Sequence, residues 1–261
     1  MTRNGTEIAD TRESVAAIYE RKQIATSYLD KRLRFSWQRL LHRRQVACLN
    51  AVLAQHRPDL VLEVAPGPAR LTTDLTGVTR GVMVENSDEM VAIARERLAA
   101  AGLSSVWDVK QGDAFKLHAS VEESSVSLAF TFRFLRHFRA PERQQLYGEL
   151  RRALKPGGHL VFDVVGRDVL ERIEARGEER PAGEIAIYDV SYSADDFRAE
   201  MASNGFDVVQ LVPVLRHFQL QSFISGKADD VLPRVAELLV GLIEAIPSSE
   251  PLEWVAVCRK R

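Results

Sequence analysis

The chain has 261 residues, 46% of them hydrophobic and 27% charged, with a net charge of −1; this describes a globular protein with no global pull toward nucleic acid or an anionic membrane. It contains no run of about 18 apolar residues, so no helix is expected to span a bilayer, and the polar start MTRNGTEIADTRES lacks the apolar stretch of a secretory signal. Cys48 and Cys258 lie far apart without metal-ligand spacing, so they read as reduced structural thiols of a cytoplasmic protein, with no disulfide and no metal centre.

Residues 1–10 read as a flexible N-terminus. Residues 11–54 contain no glycine or proline and read as helical. Within them, residues 21–44 carry Arg21, Lys22, Lys31, Arg32, Arg34, Arg39, Arg43 and Arg44 against Asp30 alone. This basic stretch is either a solvated helix face or a recruiter of an anionic acceptor, including a lipid-like one on a membrane surface. Then the period changes. LVLEV (60–64), GVMVE (81–85), VWDVK (106–110), VSLAF (126–130) and HLVFDVV (159–165) are short apolar runs that suit strands buried on both faces. Helical segments separate them. One starts after Ser87, a good N-cap, and stops at Gly102; another runs from near Pro141 to Lys155-Pro156-Gly157-Gly158. This alternation predicts a doubly wound parallel sheet, with residues 55–165 as its core. Residues 166–189 read as an exposed polar insertion. A helix from Ser193 to Gly205, a strand at 206–215, a helix at about 229–245 and a last strand at 252–260 complete the same domain.

The chemistry sits at strand ends. VLEVAPGPARL runs from a strand through a tight turn into a helical start, a cradle for an anionic or nucleotide ligand. Glu85 closes the second strand 22 residues after Glu63, where a carboxylate can accept from two ribose hydroxyls. This spacing alone fits NAD, FAD or S-adenosylmethionine. Gly112-Asp113-Ala114 follows the third strand, where Asp113 can accept from an exocyclic amine and the Ala114 amide can donate to a ring nitrogen. The fourth strand runs into AFTFRFLRHF, and LKPGGHLVF turns sharply into the fifth.

In this order the features resemble the class I S-adenosylmethionine-dependent methyltransferases, of the subgroup that resembles the ubiquinone and small-molecule methyltransferases. The resemblance covers residues 55–165 motif by motif. It implies an α/β Rossmann-like, seven-stranded sheet of order 3-2-1-4-5-7-6 with the last strand antiparallel, under an N-terminal helical lid. It implies S-adenosylmethionine as methyl donor, a small-molecule acceptor and no nucleic-acid partner. Glu63, Ala65 and Gly67 would hold the methionine end, Glu85 the ribose, Asn86 and Met90 the adenosine, and Asp113 and Ala114 the adenine. Thr131 to Arg133 would lie under the sulfonium. Arg133 and His137 are the catalytic candidates. His137 is either a general base or a structural histidine that orients its loop. Tyr19, Tyr28 and Arg32 of the lid, and His217, are candidates for substrate contact.

One departure bears on all of this. The three glycines usual in such a loop are Ala65, Gly67 and Ala69 here, and the spacers are Pro66 and Pro68. Alanine is tolerable at negative φ and costly at positive φ, and proline removes an amide donor and fixes φ. Pro66 and Pro68 are expected to stiffen the turn while staying out of the cofactor space. A non-catalytic scaffold on the same fold is the alternative, and it would show a filled pocket beside Gly67. A nicotinamide-dependent oxidoreductase fits less well, because the glycine fingerprint is poor.

Overall fold

The computed structural model describes residues 2–3, 6–9, 13, 22–175, 186–248 and 250–261. Its centre is one mixed sheet of β1 (Val61–Val64), β2 (Gly81–Glu85), β3 (Trp107–Gln111), β4 (Val126–Thr131), β5 (Leu154–Gly166), β6 (Ser191–Tyr192), β7 (Phe206–Val214) and β8 (Glu253–Lys260). The order is β3-β2-β1-β4-β5-β8-β7, with the short β6 paired in parallel to β5. Strands β1 to β5 run parallel to their neighbours, and β8 is antiparallel to both β5 and β7. Apart from the added β6, this is the expected seven-strand order. Thr2–Arg3 pairs with Thr6–Ala9, which pairs in turn with Ala186–Ile187.

Alternation along the strands decides what each face packs against. In β1 every residue is buried, with Val61 in one core cluster and Leu62 and Val64 in the other. Glu63 shares the Val61 side and is the one charged residue of the strand. Local signals set the helix ends. The Ser87 hydroxyl accepts from the Met90 amide at 3.3 Å and opens α3 (Asp88–Ala100). Gly102 at φ 71° closes it. Arg139-Ala140-Pro141 leads into α4 (Ala140–Ala153), and Ser193 caps α6 (Ala194–Ser203).

Among the described residues, the N-terminal helical stretch is broken between α1 (Lys22–Leu33) and α2 (Ser36–His56). The break has no glycine or proline. The Phe35 amide donates to Gln38 Oε1 at 3.0 Å, and the Ser36 amide donates to Asp229 Oδ2 at 2.7 Å. Capping by a residue so distant in the chain left no local mark in the sequence. Arg39 pairs with Asp229 and Glu237, Arg43 with Glu237 and Arg44 with Glu244. Three of the basic residues expected on a solvated face or at a recruited ligand are thus engaged by acids around α8 (Pro233–Glu244). That helix buries Ala236, Val240 and Glu244 and exposes Leu238 and Leu242. A further helix, α7 (Phe218–Ala228), precedes it. The segment expected as an exposed insertion includes α5 (Arg167–Ala175) and returns Tyr188 and Asp189 to the sheet edge, where Arg136 and His137 wait for them.

Candidate active site

At the C-terminal ends of β1 to β4 lies a cleft with a cavity volume of about 160 Å³. Ligands of open α/β sheets bind at this edge. Glu63, Ala65, Gly67, Glu85, Asn86, Met90, Asp113 and Ala114 all line it, as do Tyr28, Arg133 and His137. The pocket beside Gly67 is therefore open.

The first loop alternates in backbone hand. Ala65, Gly67 and Ala69 have φ of 53°, 56° and 54°, with a proline between each pair. Each alanine thus occupies the conformation that glycine takes freely. The loop keeps the amides it needs: Ala65 donates to the Val84 carbonyl at 2.9 Å and Gly67 to Glu85 Oε2 at 2.9 Å. Pro66 forms part of the cleft wall, whereas Pro68 does not; the expectation that both stay out of the ligand space holds for Pro68 alone.

Glu85 is buried, and its two oxygens accept from the amides of Gly67 and Ser87. Burial raises its pKa, against the hydrogen bonds from Ser87, Gly67 and Asn86. Each oxygen keeps a lone pair for a hydroxyl donor. Glu63 accepts from the Thr72 hydroxyl, and burial pushes its pKa up to about 8, with Glu85 adding to the rise while Thr72 and Arg70 oppose it. Asp113 Oδ1 accepts from the Phe115 amide at 2.9 Å, capping a short helical turn at Ala114–Ala119. Met90 is buried, and its sulfur lies 4.0 Å from where a Cβ on Gly67 would stand. Asn86 is exposed.

A buried polar network supports the cleft from below. Arg70 donates to Gln45 Oε1 at 2.9 Å, and Gln45 donates to Glu253 Oε1 at 2.6 Å. Arg136 reaches Glu253 at 3.3 Å and Asp163 at 3.1 Å, and it holds Asp189 through two hydrogen bonds of 2.7 and 2.9 Å. Burial and the charge of Asp163 push Glu253 up to about 7, with Arg136 opposing. Asp189 falls below the usual carboxylate range, because Arg136 and His137 outweigh its burial. Asp163 Oδ1 also accepts from the Arg133 amide at 2.6 Å, and Arg133 has φ 57°.

His137 is 2% exposed. Its Nδ1 lies 2.9 Å from Asp189 Oδ1 and 3.0 Å from the Tyr188 carbonyl. Both partners are acceptors, so Nδ1 carries a proton, and in the neutral form of the ring the lone pair is at Nε2. Nε2 is buried and has no hydrogen-bond partner among the described residues.

Some candidates sit elsewhere. Thr131 is buried at the end of β4 and does not line the cleft; Phe132 and Arg133 do. Arg32 is not in the wall, but its guanidinium lies 5.4 Å from the centre of the Tyr28 ring. His217 precedes α7, with Nε2 3.2 Å from the Ile246 carbonyl, away from the lining. Tyr19 lies outside the described residues. Sequence reasoning missed Arg70, Ser87, Phe134 and Phe138 as wall residues, and Asp189 as the partner of His137. The aromatic density of AFTFRFLRHF was the available signal for the phenylalanines.

The family model described as "Methyltransferase domain" matches residues 61–158. The sterol 24-C-methyltransferase ERG6 of Saccharomyces cerevisiae is 30% identical over 161 residues, which is 59% of this chain and 40% of the yeast protein. The chain thus spans well under half the length of that curated relative. Among solved structures, the 4+2 cyclase SpnF superposes with a TM-score of 0.61 at 21% identity, covering 99% of both chains. Magnesium protoporphyrin IX methyltransferase from Synechocystis PCC 6803, solved with S-adenosylhomocysteine bound, gives 0.57 at 11% identity, covering 87% of this chain and 86% of that one. At these identities the superpositions speak to fold. Residues 61–158 match the methyltransferase-domain family, and the chain carries the Rossmann-like fold that the class I S-adenosylmethionine-dependent methyltransferases share.

Proposed function

We propose that the protein moves a methyl group from S-adenosylmethionine to a small organic acceptor held beside Arg133 and His137. The observation that carries this reading is the gathering of Glu63, Gly67, Glu85, Asp113 and Ala114, from three separate strand ends, around one open cleft. The donor set suits the cofactor. A buried carboxylate with lone pairs to spare faces the ribose position, and Gly67 keeps clear a space that a Cβ would begin to fill.

When bound, S-adenosylmethionine supplies an electrophilic methyl group on a sulfonium. The residues do the rest. Glu85 accepts from the ribose hydroxyls, Asp113 and the Ala114 amide hold the adenine edge, and Glu63 with the Ala65–Gly67 turn holds the methionine end. Phe132, Phe134 and Phe138 keep water from the reacting atoms. Fixing donor and acceptor in line supplies much of the rate. For an acceptor that must lose a proton, His137 Nε2 takes it, while Asp189 holds Nδ1–H and steadies the charged ring.

Isothermal titration with S-adenosylhomocysteine tests the reading. Micromolar binding in the wild type and a loss of at least tenfold in Glu85→Ala are expected; no binding at millimolar ligand sinks it. A tritiated-methyl transfer assay against metabolite pools then identifies the acceptor.

A further inference from the structure

Resting on that reading, we infer that Arg32, Tyr28 and Arg133 form an anion subsite for a carboxylate or phosphate group carried by the methyl acceptor. Tyr28 and Arg133 line the cleft, and the Arg32 guanidinium stands 5.4 Å from the centre of the Tyr28 ring. Arg133 is held in place by its backbone: the left-handed φ of 57° and the 2.6 Å bond from its amide to Asp163 fix where the side chain starts.

The charges here are unbalanced. Among the described residues neither Arg32 nor Arg133 has an ion pair, whereas Arg39, Arg136, Arg143 and Arg172 each have one. Arg133 Nε is buried and has no hydrogen-bond partner among those residues. The acids beneath it act on it only from a distance: Asp189 and Glu253 feel its charge without forming an ion pair with it among the described residues. Asp163, Asp189 and Glu253 are engaged by Arg136, and Arg32 and Arg136 act on Arg133 as like charges. The Tyr28 hydroxyl registers the same field: burial raises its pKa, but Arg32, Arg70 and Arg133 outweigh burial and bring it down. Two guanidiniums around one phenol, partly desolvated and with no direct ion pair among the described residues, favour an anion. Their planar donor forks match the oxygens of a carboxylate or phosphate, and the phenol adds a further hydrogen bond. The cofactor's own carboxylate is the other source of such a group. Arg70, which acts on Glu63 as well as on Tyr28, is assigned to the methionine end, and Arg32 and Arg133 to the acceptor.

The test titrates inorganic phosphate into the protein saturated with S-adenosylhomocysteine, at fixed ionic strength. Saturable binding is expected, weakened at least tenfold in Arg133→Gln and in Arg32→Gln, with S-adenosylhomocysteine affinity kept within about threefold. Arg133→Lys keeps the charge and loses the fork, and it should bind phosphate at an intermediate level; this variant decides the matter where Arg133→Gln fails to fold. The absence of saturable binding to the wild type overturns the proposal. So does an equal loss of S-adenosylhomocysteine binding in the variants with 5′-methylthioadenosine binding unchanged, which would assign the arginines to the cofactor's carboxylate. Phosphate capture by a protein that binds no S-adenosylhomocysteine would sustain the anion site and remove the methyl-transfer reading; the reverse result would remove the anion site alone.

Discussion

The Gly67 amide donates to Glu85 Oε2 at 2.9 Å, which ties the first loop to the acid that ends β2. With the bond from Ala65 to Val84, it accounts for a loop that looks impoverished in sequence. The amides lost at Pro66 and Pro68 alternate with the two that bind the neighbouring strand. The cost lies at the alanines. Ala65 and Ala69 sit at φ of 53° and 54°, where an L-residue other than glycine carries roughly 1–2 kcal/mol of strain. Glycine would relieve it and give back about 0.4–1 kcal/mol in unfolded-chain entropy. Ala65→Gly should be neutral to stabilising, by up to about 1.5 kcal/mol by these figures, and Ala69→Gly should gain less, because Ala69 is fully buried and loses a packed methyl; Pro66 and Pro68 still limit the loop. Urea midpoints check this; a clear loss in both variants would contradict the backbone assignment.

Binding of S-adenosylhomocysteine should strengthen as pH rises toward 8. Burial pushes Glu63 up to about 8, so the free protein carries it neutral at pH 6 to 7. A ligand ammonium beside it favours the carboxylate, and binding then releases a proton. Affinity should climb by up to about tenfold per pH unit below the pKa and level off above it. Glu63→Gln should bind more weakly at pH 8 and show a flat profile. Titrations at pH 6, 7 and 8.5 read the slope, and an unchanged slope in Glu63→Gln would remove Glu63 from the ligand.

Much of this site was legible because it is local. Glu63, Glu85 and Asp113 each end a strand or follow one, and their spacing along the chain is their spacing along the sheet edge. Asp113 shows the limit, since the same register that aims it at a ligand lets it cap its own turn. What escaped was long-range. Asp189 meets His137 across a segment that reads as polar and exposed, and Gln45 meets Glu253 across 208 positions. The break between α1 and α2 depends on Asp229, 193 residues beyond Ser36. Periodicity shows which face of a helix is apolar, but not which distant carboxylate will cap it.

The folded protein should be more stable at pH 5 than at pH 8.5. Glu63 and Glu253 are pushed up to about 8 and about 7 from an ordinary value of about 4.5, and Glu85 is raised as well. Between those limits the folded state holds more protons than the unfolded chain, so unfolding free energy falls as pH rises from about 4.5 to about 8, then flattens. Asp189 and Glu200 act in the opposite sense: Arg136 holds the first low and Arg143 the second, and their contribution is lost as pH falls below the ordinary carboxylate range. Urea unfolding across pH 4 to 9 should show a maximum near the acid end of that span. Glu63→Gln should remove part of the decline on the alkaline side.

His137 should matter for turnover more than for cofactor binding. Its Nδ1 is committed to Asp189 and Tyr188, and its Nε2 is buried without a partner among the described residues, on a residue that lines the cleft. A histidine kept only to orient its loop would gain nothing from that unpaired nitrogen, which burial makes costly. His137→Gln should lower turnover by about 10²–10⁴-fold for an acceptor that must be deprotonated, with S-adenosylhomocysteine affinity unchanged. Asp189→Asn has two effects that can be separated. It removes the ion pair with Arg136 and one of the two hydrogen bonds, and so lowers the urea midpoint. It also offers Nδ1 a carboxamide in place of a carboxylate, which removes the charge that steadies the ring when it takes a proton and should lower turnover with S-adenosylhomocysteine affinity unchanged. Full turnover in both His137→Gln and Asp189→Asn would return both residues to a purely structural role.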